Sequence, residues 1–358
     1  MKEFSCKTRI TMGRGVIDTL GGWNFQRLLV VSDPFFAQNG MAKRVGQQAA
    51  AYEIFHKIQP DPSVALVAEG VALAKTFQPD ALVLLGGGSA MDCGKAMAYF
   101  SGLDIPLIAI PTTSGSGSEV TDFAILTHNG VKHPLVDGKL RPDMAILEEE
   151  LLTDLPPALV ADGGFDVISH ALEAFVAQNA TAFTDGLAVE ALRRCYALLP
   201  ESFEGNKTVR LEVHMASTMA GLAFTQAGLG LCHGLSHALG GMFHVPHGRL
   251  NAILLPAVIT CNADGAANRY AQLVRLAGFG GSSDTMAVRN LKNGLTRLRN
   301  LLKLPGTLAE AGVDPGNLRS ATEDIVSAAL KDPCCVTNPV PVTAERVRRV
   351  LREVAGRG

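Results

Sequence analysis

The sequence predicts an α/β domain built on a parallel sheet, followed by an all-helical domain. Three observations carry that expectation. The chain has 358 residues, more than twice the ~150 residues of an ordinary domain. In its first part short apolar runs alternate with helical stretches, the βαβ rhythm of a parallel sheet covered by helices. After Leu155-Pro156-Pro157 long Ala/Leu-rich stretches with few β-branched clusters take over, and the double proline marks the boundary. The domains expected are therefore 1–156 and 157–358.

In chain order, Arg27 to Asp33 reads as a buried strand ending in a turn, and Glu53 to Ile58 as a second strand. Ser63 to Phe77 has helical spacing, Asp80 to Leu85 is a strand bounded by Gly86-Gly-Gly88, Ala90 to Phe100 is a helix and Pro106 to Pro111 a strand. Phe4, Cys6, Thr8 and Ile10 alternate as an edge strand does, a reading preferred over a packing role for Met1 to Ile17. In the second domain helices are expected at Ala158 to Gln178, Phe183 to Leu199, Thr208 to Ala227, Cys232 to Phe243 and Ala266 to Leu276. Pro341-Val-Thr-Ala-Glu-Arg-Val347 reads as the capped start of a last helix ending at Gly356.

Composition excludes several classes. With 47% hydrophobic and 18% charged residues the chain can bury a large core, and a net charge of -2 provides no basic field for nucleic acid or anionic lipid. The seven cysteines show neither a CxxC pair nor regular spacing, so neither a disulfide framework nor a zinc ribbon is expected. No apolar leader and no run of ~18 apolar residues occurs, which leads us to expect a soluble, cytoplasmic protein without membrane partners. A mean hydropathy of +0.20 suggests an apolar subunit interface, and hence a homodimer or larger assembly.

Gly86-Gly-Gly-Ser-Ala-Met-Asp92 lies between an apolar strand and a helix. Glycines let the backbone approach a ligand, and the helix N-terminus favours an anion such as a pyrophosphate. The spacing is not GxGxxG, so an ordinary βα turn is the competing explanation. A second loop, Pro111-Thr-Thr-Ser-Gly-Ser-Gly-Ser-Glu-Val-Thr121, is dense in hydroxyls and small residues that can wrap a polar ligand, the alternative being a flexible polar loop. Asp33 can accept hydrogen bonds from the ribose hydroxyls of an adenosine and repel a 2′-phosphate, which would favour NAD over NADP; a turn residue or N-cap is its plainer role.

Asp166 and His170 stand four apart in a helical stretch, and His233 and His237 repeat that spacing, so each pair leaves one helix face. Residues 232–247 hold four of the nine histidines, and His247 follows a proline as a loop-borne ligand would. Imidazoles and a carboxylate embedded in apolar sequence must find partners, and a shared metal ion supplies one. Gly234 follows His233, so this is not the HEXXH of a zinc peptidase. One carboxylate with several imidazoles suits Fe(II), Zn(II), Co(II) or Ni(II) alike. Cys232 reads as a small buried apolar residue rather than a ligand.

These segments, together with Asp166-Val-Ile-Ser-His-Ala-Leu-Glu-Ala174, His233-Gly-Leu-Ser-His237, Pro246-His-Gly248 and Thr337-Asn-Pro339, resemble the iron-type (group III) alcohol dehydrogenase family over nearly the whole chain. The resemblance implies a Rossmann-like N-terminal domain with an all-helical C-terminal one, the dehydroquinate synthase-like fold. It implies four metal ligands at Asp166, His170, His233 and His247, with His237 as a catalytic or proton-relay residue. It places Gly87, Gly88, Ser89 and Asp92 at the pyrophosphate, Asp33 at the ribose, and Thr112, Thr113, Ser116, Ser118 and Lys132 along the rest of the nucleotide. Within the family the chain is similar to 1-propanol dehydrogenases of propanediol-utilising microcompartments, through Phe4-Ser5, Thr225 to Leu231 and Phe243 to Gly248. That implies Fe(2+), with Zn(2+) able to take its place in isolated protein, NAD(H), a short alcohol or aldehyde substrate, and a place inside a bacterial microcompartment among shell or cargo proteins. Gly163, Glu148-Glu149 and Val340 depart from the family pattern without removing a proposed ligand.

The activity implied is hydride transfer between NAD(H) and 1-propanol/propanal or ethanol/acetaldehyde. A lactaldehyde reductase or other polyol dehydrogenase is the nearest alternative. A dehydroquinate synthase-type lyase would need a basic pocket, and Arg249 is the nearest basic residue to the histidine segment. A non-catalytic scaffold or metal store would be expected to have lost a ligand or a glycine loop, and neither is lost.

Overall fold

Buried aliphatic runs in the unit Ser5–Leu155 become a six-stranded, all-parallel sheet. The computed structural model describes residues 4–128 and 131–356, and the backbone alone at 131 and 132. The strands are β1 (Arg9–Gly13), β2 (Arg27–Ser32), β3 (Ala51–Phe55), β4 (Ala81–Gly86), β5 (Leu107–Pro111) and β8 (Met144–Glu148), in the spatial order β1-β8-β5-β4-β2-β3. An antiparallel hairpin of β6 (Phe123–His128) and β7 (Val131–Val136) stands beside them. Helices α1 (Pro34–Gln38), α2 (Met41–Gly46), α3 (Val64–Phe77) and α4 (Gly88–Ser101) supply the crossovers.

Alternate strand residues divide between two cores, as a sheet buried on both faces requires. Leu29, Val31, Leu82, Leu84 and Ala109 pack with Val67, Ala74, Met91 and Met97 of α3 and α4. Leu28, Val30, Val83, Leu85, Ile108 and Ile146 pack on the other face with Ile17, Leu20, Ala42 and Val45. The order reverses at β2, which leads outward to β3 while β4 returns on its other side. At such a switch point the loops leaving neighbouring strands diverge and leave a ligand crevice at the carboxyl ends. The loops of Asp33 and of Gly86–Gly88 lie at that point.

The expected edge strand is present as β1, paired only through β8, but it covers Arg9–Gly13 rather than the alternating residues from Phe4. Sequence periodicity did not indicate β6, β7 or β8. The segment of β8, Met-Ala-Ile-Leu-Glu, has the composition of a helix turn, and its fully buried place between β1 and β5 overrides that propensity. Glu148, one of the departures from the family pattern, is completely buried and accepts hydrogen bonds from the backbone N–H groups of Gly15 (2.9 Å), Ile17 (3.1 Å) and Glu150 (3.1 Å).

The second unit, residues 156–356 with Phe4, is helical. It comprises α5 (Pro157–Val176), α6 (Ala182–Phe203), α7 (Arg210–Ala227), α8 (Leu231–Phe243), α9 (His247–Leu276), α10 (Asp284–Leu301), α11 (Pro315–Lys331) and α12 (Ala344–Val354). Buried along almost its whole length, α5 packs against α6, α7 and α9. Sequence periodicity marks neither α10 nor α11 and indicates α9 only from Ala266. The first half of α9 was hidden by its internal Pro256 and by Asn251 and Asn262, and Ala266 is where the helix kinks (φ -128°, ψ 16°). By length and composition α9 could cross a membrane, yet 67% of that stretch is buried within the protein. The seven cysteines are free thiols.

His214, on α7, is fully buried, which pushes its imidazole down to about 4. The unfolded chain therefore takes up a proton below the ordinary value of about 6.5 while the folded chain does not. Stability from this group is complete above pH 6.5 and is lost as the pH falls towards 4. Between pH 7 and 5 the loss amounts to about 2 kcal/mol. Denaturant melts of the parent and His214→Gln at both pH values check this. The variant loses correspondingly less on acidification, and an equal loss contradicts the assignment.

Candidate active site

Asp166, His170 and Glu173 fall at i, i+4 and i+7 on α5, and all three are buried. His233 and His237 share one face of α8, and His247 opens α9 immediately after its N-cap, Pro246. His247 is thus the first residue of a helix, where the sequence reading had it on a loop; a proline at the cap gave the impression of a turn.

These elements bring donor atoms of Asp166, His233 and His247 within 4.8 Å of one another. Oδ1 of Asp166 lies 3.7 Å from Nε2 of His170, 3.7 Å from Nε2 of His233 and 3.5 Å from Nε2 of His247. The His170 ring stacks on that of His233 with centroids 4.6 Å apart and on Phe224 at 4.3 Å. Burial raises the Asp166 carboxyl, but the surrounding imidazoles of His170, His247 and His233 outweigh it and hold the group far below the carboxylate range. Burial pushes His247 well below its ordinary value. Burial also opposes charge on His233, yet Asp166 and Glu173 raise that imidazole to about 9.

Four residues to which sequence reasoning gave no role complete the site. Glu173 accepts a hydrogen bond from Nδ1 of His233 at 2.6 Å and further ones from the backbone N–H groups of Gly230 (3.0 Å) and Cys232 (2.7 Å). It therefore caps α8 with negative charge at the positive end of the helix and fixes the His233 tautomer with Nε2 facing Asp166. The i+7 register with Asp166 was the available signal. Asn251, four residues after His247, donates from Nδ2 to Asp166 Oδ1 at 2.9 Å and accepts from Ser236 Oγ at 2.5 Å. Asp332 accepts from Nδ1 of His237 at 2.8 Å, across a separation of 95 residues that no local pattern reveals. Asn338, of the Thr337-Asn-Pro339 segment, accepts from the Leu231 N–H at 3.1 Å and so supports the same helix start.

The buried Nε2 of His233 has no hydrogen-bond partner among the described residues. A buried imidazole nitrogen without a partner is costly, and its position beside a carboxylate and two further imidazoles fits a divalent cation. Cys232 lies on the other side of this chemistry: burial, with Glu173 and Asp166, pushes its thiol well above the ordinary value, and Sγ approaches Asn251 Oδ1 at 3.6 Å.

In the first unit Asp33, Gly86, Gly87, Gly88, Thr113 and Ser116 come together near the switch point. Gly86 has φ +154°, and a Cβ there would meet Ala90 Cβ at 2.6 Å and Asp33 Oδ2 at 3.3 Å. At Gly87 a Cβ would stand 3.3 Å from Thr113 Oγ1, and at Gly88 one would stand 3.8 Å from Ser116 Cβ. Gly87, the N-cap of α4, offers no side chain to cap the helix, which leaves its first N–H groups to an anion beside Ser89. Asp33 is the N-cap of α1, accepting from the Phe36 N–H at 3.1 Å through Oδ1. Asp92 lies half-buried in the second turn of α4 and Thr112 is buried at the start of the second loop. Ser118, which the resemblance places along the nucleotide, accepts a hydrogen bond from the buried Lys95 Nζ at 2.9 Å. That lysine also donates to Thr121 Oγ1 (2.9 Å) and to the carbonyls of Thr121 and Phe123 (both 3.0 Å), stitching the second loop to α4. Burial pulls its ammonium down to about 8 against Asp92, Glu119 and Asp122. Lys132 falls in β7 with its side chain outside the described residues.

Comparison with known proteins accounts for both units. Residues 7–149 match the family model described as iron-containing alcohol dehydrogenase, and residues 160–355 match that of the Fe-containing alcohol dehydrogenase family, C-terminal. The 1-propanol dehydrogenase PduQ of Salmonella typhimurium is 39% identical over 369 residues, covering 99% of this chain and 100% of its own. An iron containing alcohol dehydrogenase from Thermococcus thioreducens superposes with a TM-score of 0.92 at 32% identity, over 98% of this chain and 99% of that one. The sulfoacetaldehyde reductase of Bifidobacterium kashiwanohense, solved in complex with NAD+, gives 0.90 at 26% identity over 99% of each chain. With both halves matched and a relative of this identity covered from end to end, the chain belongs to the iron-containing alcohol dehydrogenase family and is an alcohol dehydrogenase.

Proposed function

We propose that the enzyme interconverts short primary alcohols and aldehydes, 1-propanol and propanal or ethanol and acetaldehyde, with NAD(H), at a divalent cation held by Asp166, His170, His233 and His247. The observation that carries this reading is the single Asp166 oxygen approached at 3.5–3.7 Å by three imidazole Nε2 atoms. Fe(2+) is the proposed resident ion, with Zn(2+) able to replace it in isolated protein. The similarity to an enzyme named for 1-propanol supports the substrate class, and the NAD+ complex of a structural relative supports the nucleotide.

When bound, the cation lowers the pKa of an alcohol hydroxyl and the nicotinamide accepts or returns hydride. The protein's own side chains do the rest. Glu173 and Asn251 hold His233 and Asp166 in the orientation that ligation requires. His237 takes the hydroxyl proton at Nε2 and passes it to water. Gly87, Gly88, Ser89 and Asp92 would cradle the pyrophosphate at the start of α4, and Thr112, Thr113, Ser116 and Lys132 would line the rest of the nucleotide. Ser118 supports that loop through Lys95. Asp33, its Oδ1 already engaged at α1, offers Oδ2 to the ribose and selects NAD by repelling a 2′-phosphate. The lyase alternative loses its basic group, because Arg249 is paired with Asp162 through two hydrogen bonds of 3.2 and 3.0 Å. A cytoplasmic, microcompartment-packed homodimer or larger assembly completes the proposal.

Enzyme purified anaerobically, supplied with Fe(2+) and either NADH or NADPH, is offered propanal, acetaldehyde and lactaldehyde. Oxidation of NADH with the first two, faster than that of NADPH, is expected. A preparation that reduces none of the three contradicts the proposal, and a marked preference for lactaldehyde favours the polyol alternative.

A further inference from the structure

We infer that Asp332 is the positioning residue of His237, and that the two side chains handle the substrate proton as one dyad. This rests on the proposed relay role of His237. Oδ2 of Asp332 accepts from His237 Nδ1 at 2.8 Å, and Oδ1 accepts from the Cys334 N–H at 2.8 Å, so the carboxylate is held at both oxygens. A carboxylate only accepts; the shared proton therefore sits on Nδ1, and Nε2 is the ring nitrogen left over for the substrate proton. The His237 ring lies beside that of His247, with centroids 5.2 Å apart and planes 20° from parallel, which puts the imidazole against a proposed cation ligand.

The local fold explains how a carboxylate so distant in sequence arrives there. Asp332 is the C-cap of α11 and the N-cap of the 3-10 turn Pro333–Thr337, so its backbone is fixed from both sides. Gly234 lies three residues before His237 on α8, and a Cβ there would fall 2.4 Å from Cys335 Sγ and 3.5 Å from Asp332 Cβ. Only a residue without a side chain lets the turn come this close to α8.

On alcohol oxidation the substrate O–H breaks and its proton forms N–H at Nε2, while the hydride leaves carbon with its electron pair for NAD+. The ring, now protonated on both nitrogens, is a cation facing Asp332 until Nε2 gives its proton to water. In aldehyde reduction the order reverses. Without the carboxylate the ring also populates the opposite tautomer, whose Nε2 is already occupied and cannot accept.

The test compares Asp332→Asn, Asp332→Glu, His237→Gln and the double variant Asp332→Asn/His237→Gln, each with its cation content, melting temperature, kcat and KM. The amide oxygen of the first variant still accepts from the Cys334 N–H, so the turn keeps its cap. Asp332→Asn is expected to lower kcat by about 10- to 100-fold with cation content and KM unchanged, and Asp332→Glu to recover part of the loss. In the His237→Gln background Asp332→Asn should change kcat by less than about twofold, the mark of two residues acting as one unit. Wild-type kcat in Asp332→Asn, or a full multiplicative loss in the double variant, overturns the inference. If His237→Gln itself turns over normally, the relay reading fails along with it; if His237→Gln is slow and Asp332→Asn is not, the dyad alone is refuted.

Discussion

Asp166→Asn is expected to lower kcat/KM for propanal reduction by about a thousandfold or more, since the Lewis acidity at stake is worth several kcal/mol and each 1.36 kcal/mol is a factor of ten. The side chain keeps its shape, and the carbonyl oxygen can still accept from Asn251 Nδ2, which donates at 2.9 Å in the parent. What disappears is the negative charge that three Nε2 atoms face at 3.5–3.7 Å. Three neutral imidazoles and an amide bind a hard-to-borderline divalent ion much less well than the same set with a carboxylate. Loss of bound cation in parallel with loss of rate, with the far-ultraviolet dichroism unchanged, is the expected pattern. Full activity in this variant would remove Asp166 from the site.

Gly248→Ala has the second largest expected effect, although the residue carries no chemistry. A Cβ at this position would lie 1.9 Å from the carbonyl oxygen and 2.6 Å from the carbonyl carbon of Asp162. Both are backbone atoms of α5, so no side chain can swing aside and the start of α9 must move away. His247 is the neighbouring residue, and Asp166 lies one turn along α5 from Asp162. The same displacement therefore widens the 3.5 Å approach of His247 to Asp166. We expect about 3 kcal/mol of lost stability in denaturant melts together with a fall in cation content. Gly241→Ala is the control: its Cβ would meet nothing within 4 Å, and in a helix it should be neutral or stabilising by about 0.5–1 kcal/mol. Equal behaviour of the two variants would contradict the account of α9.

What could be read from sequence and what could not divide along physical lines. The strands with aliphatic runs, β2 and β4, and the helices with clean caps, such as α12 behind Thr343, are visible because their own residues specify them. β8 is not, since a run of Met, Ala, Ile, Leu and Glu becomes a strand only because β1 and β5 flank it. The four proposed ligands stood out because imidazoles and a carboxylate at helical spacing are conspicuous in apolar sequence. Glu173 was concealed by its position in a helix where acidic residues are ordinary, and its work, holding His233 and the N–H groups of α8, depends on tertiary contact. Asp332 precedes Pro-Cys-Cys and reads as a turn residue, which it also is. Ser118, which the resemblance places along the nucleotide, also accepts from a buried lysine, a contact that a loop rich in hydroxyls does not announce.

The most direct test of the central claim is metal stoichiometry in anaerobically purified protein, for the parent and for Asp166→Asn, His170→Ala, His233→Ala and His247→Ala in parallel. The account predicts close to one divalent ion per parent chain and substoichiometric metal in all four variants. Parent-level metal in every variant, or a metal-free parent that reduces propanal at full rate, would contradict it.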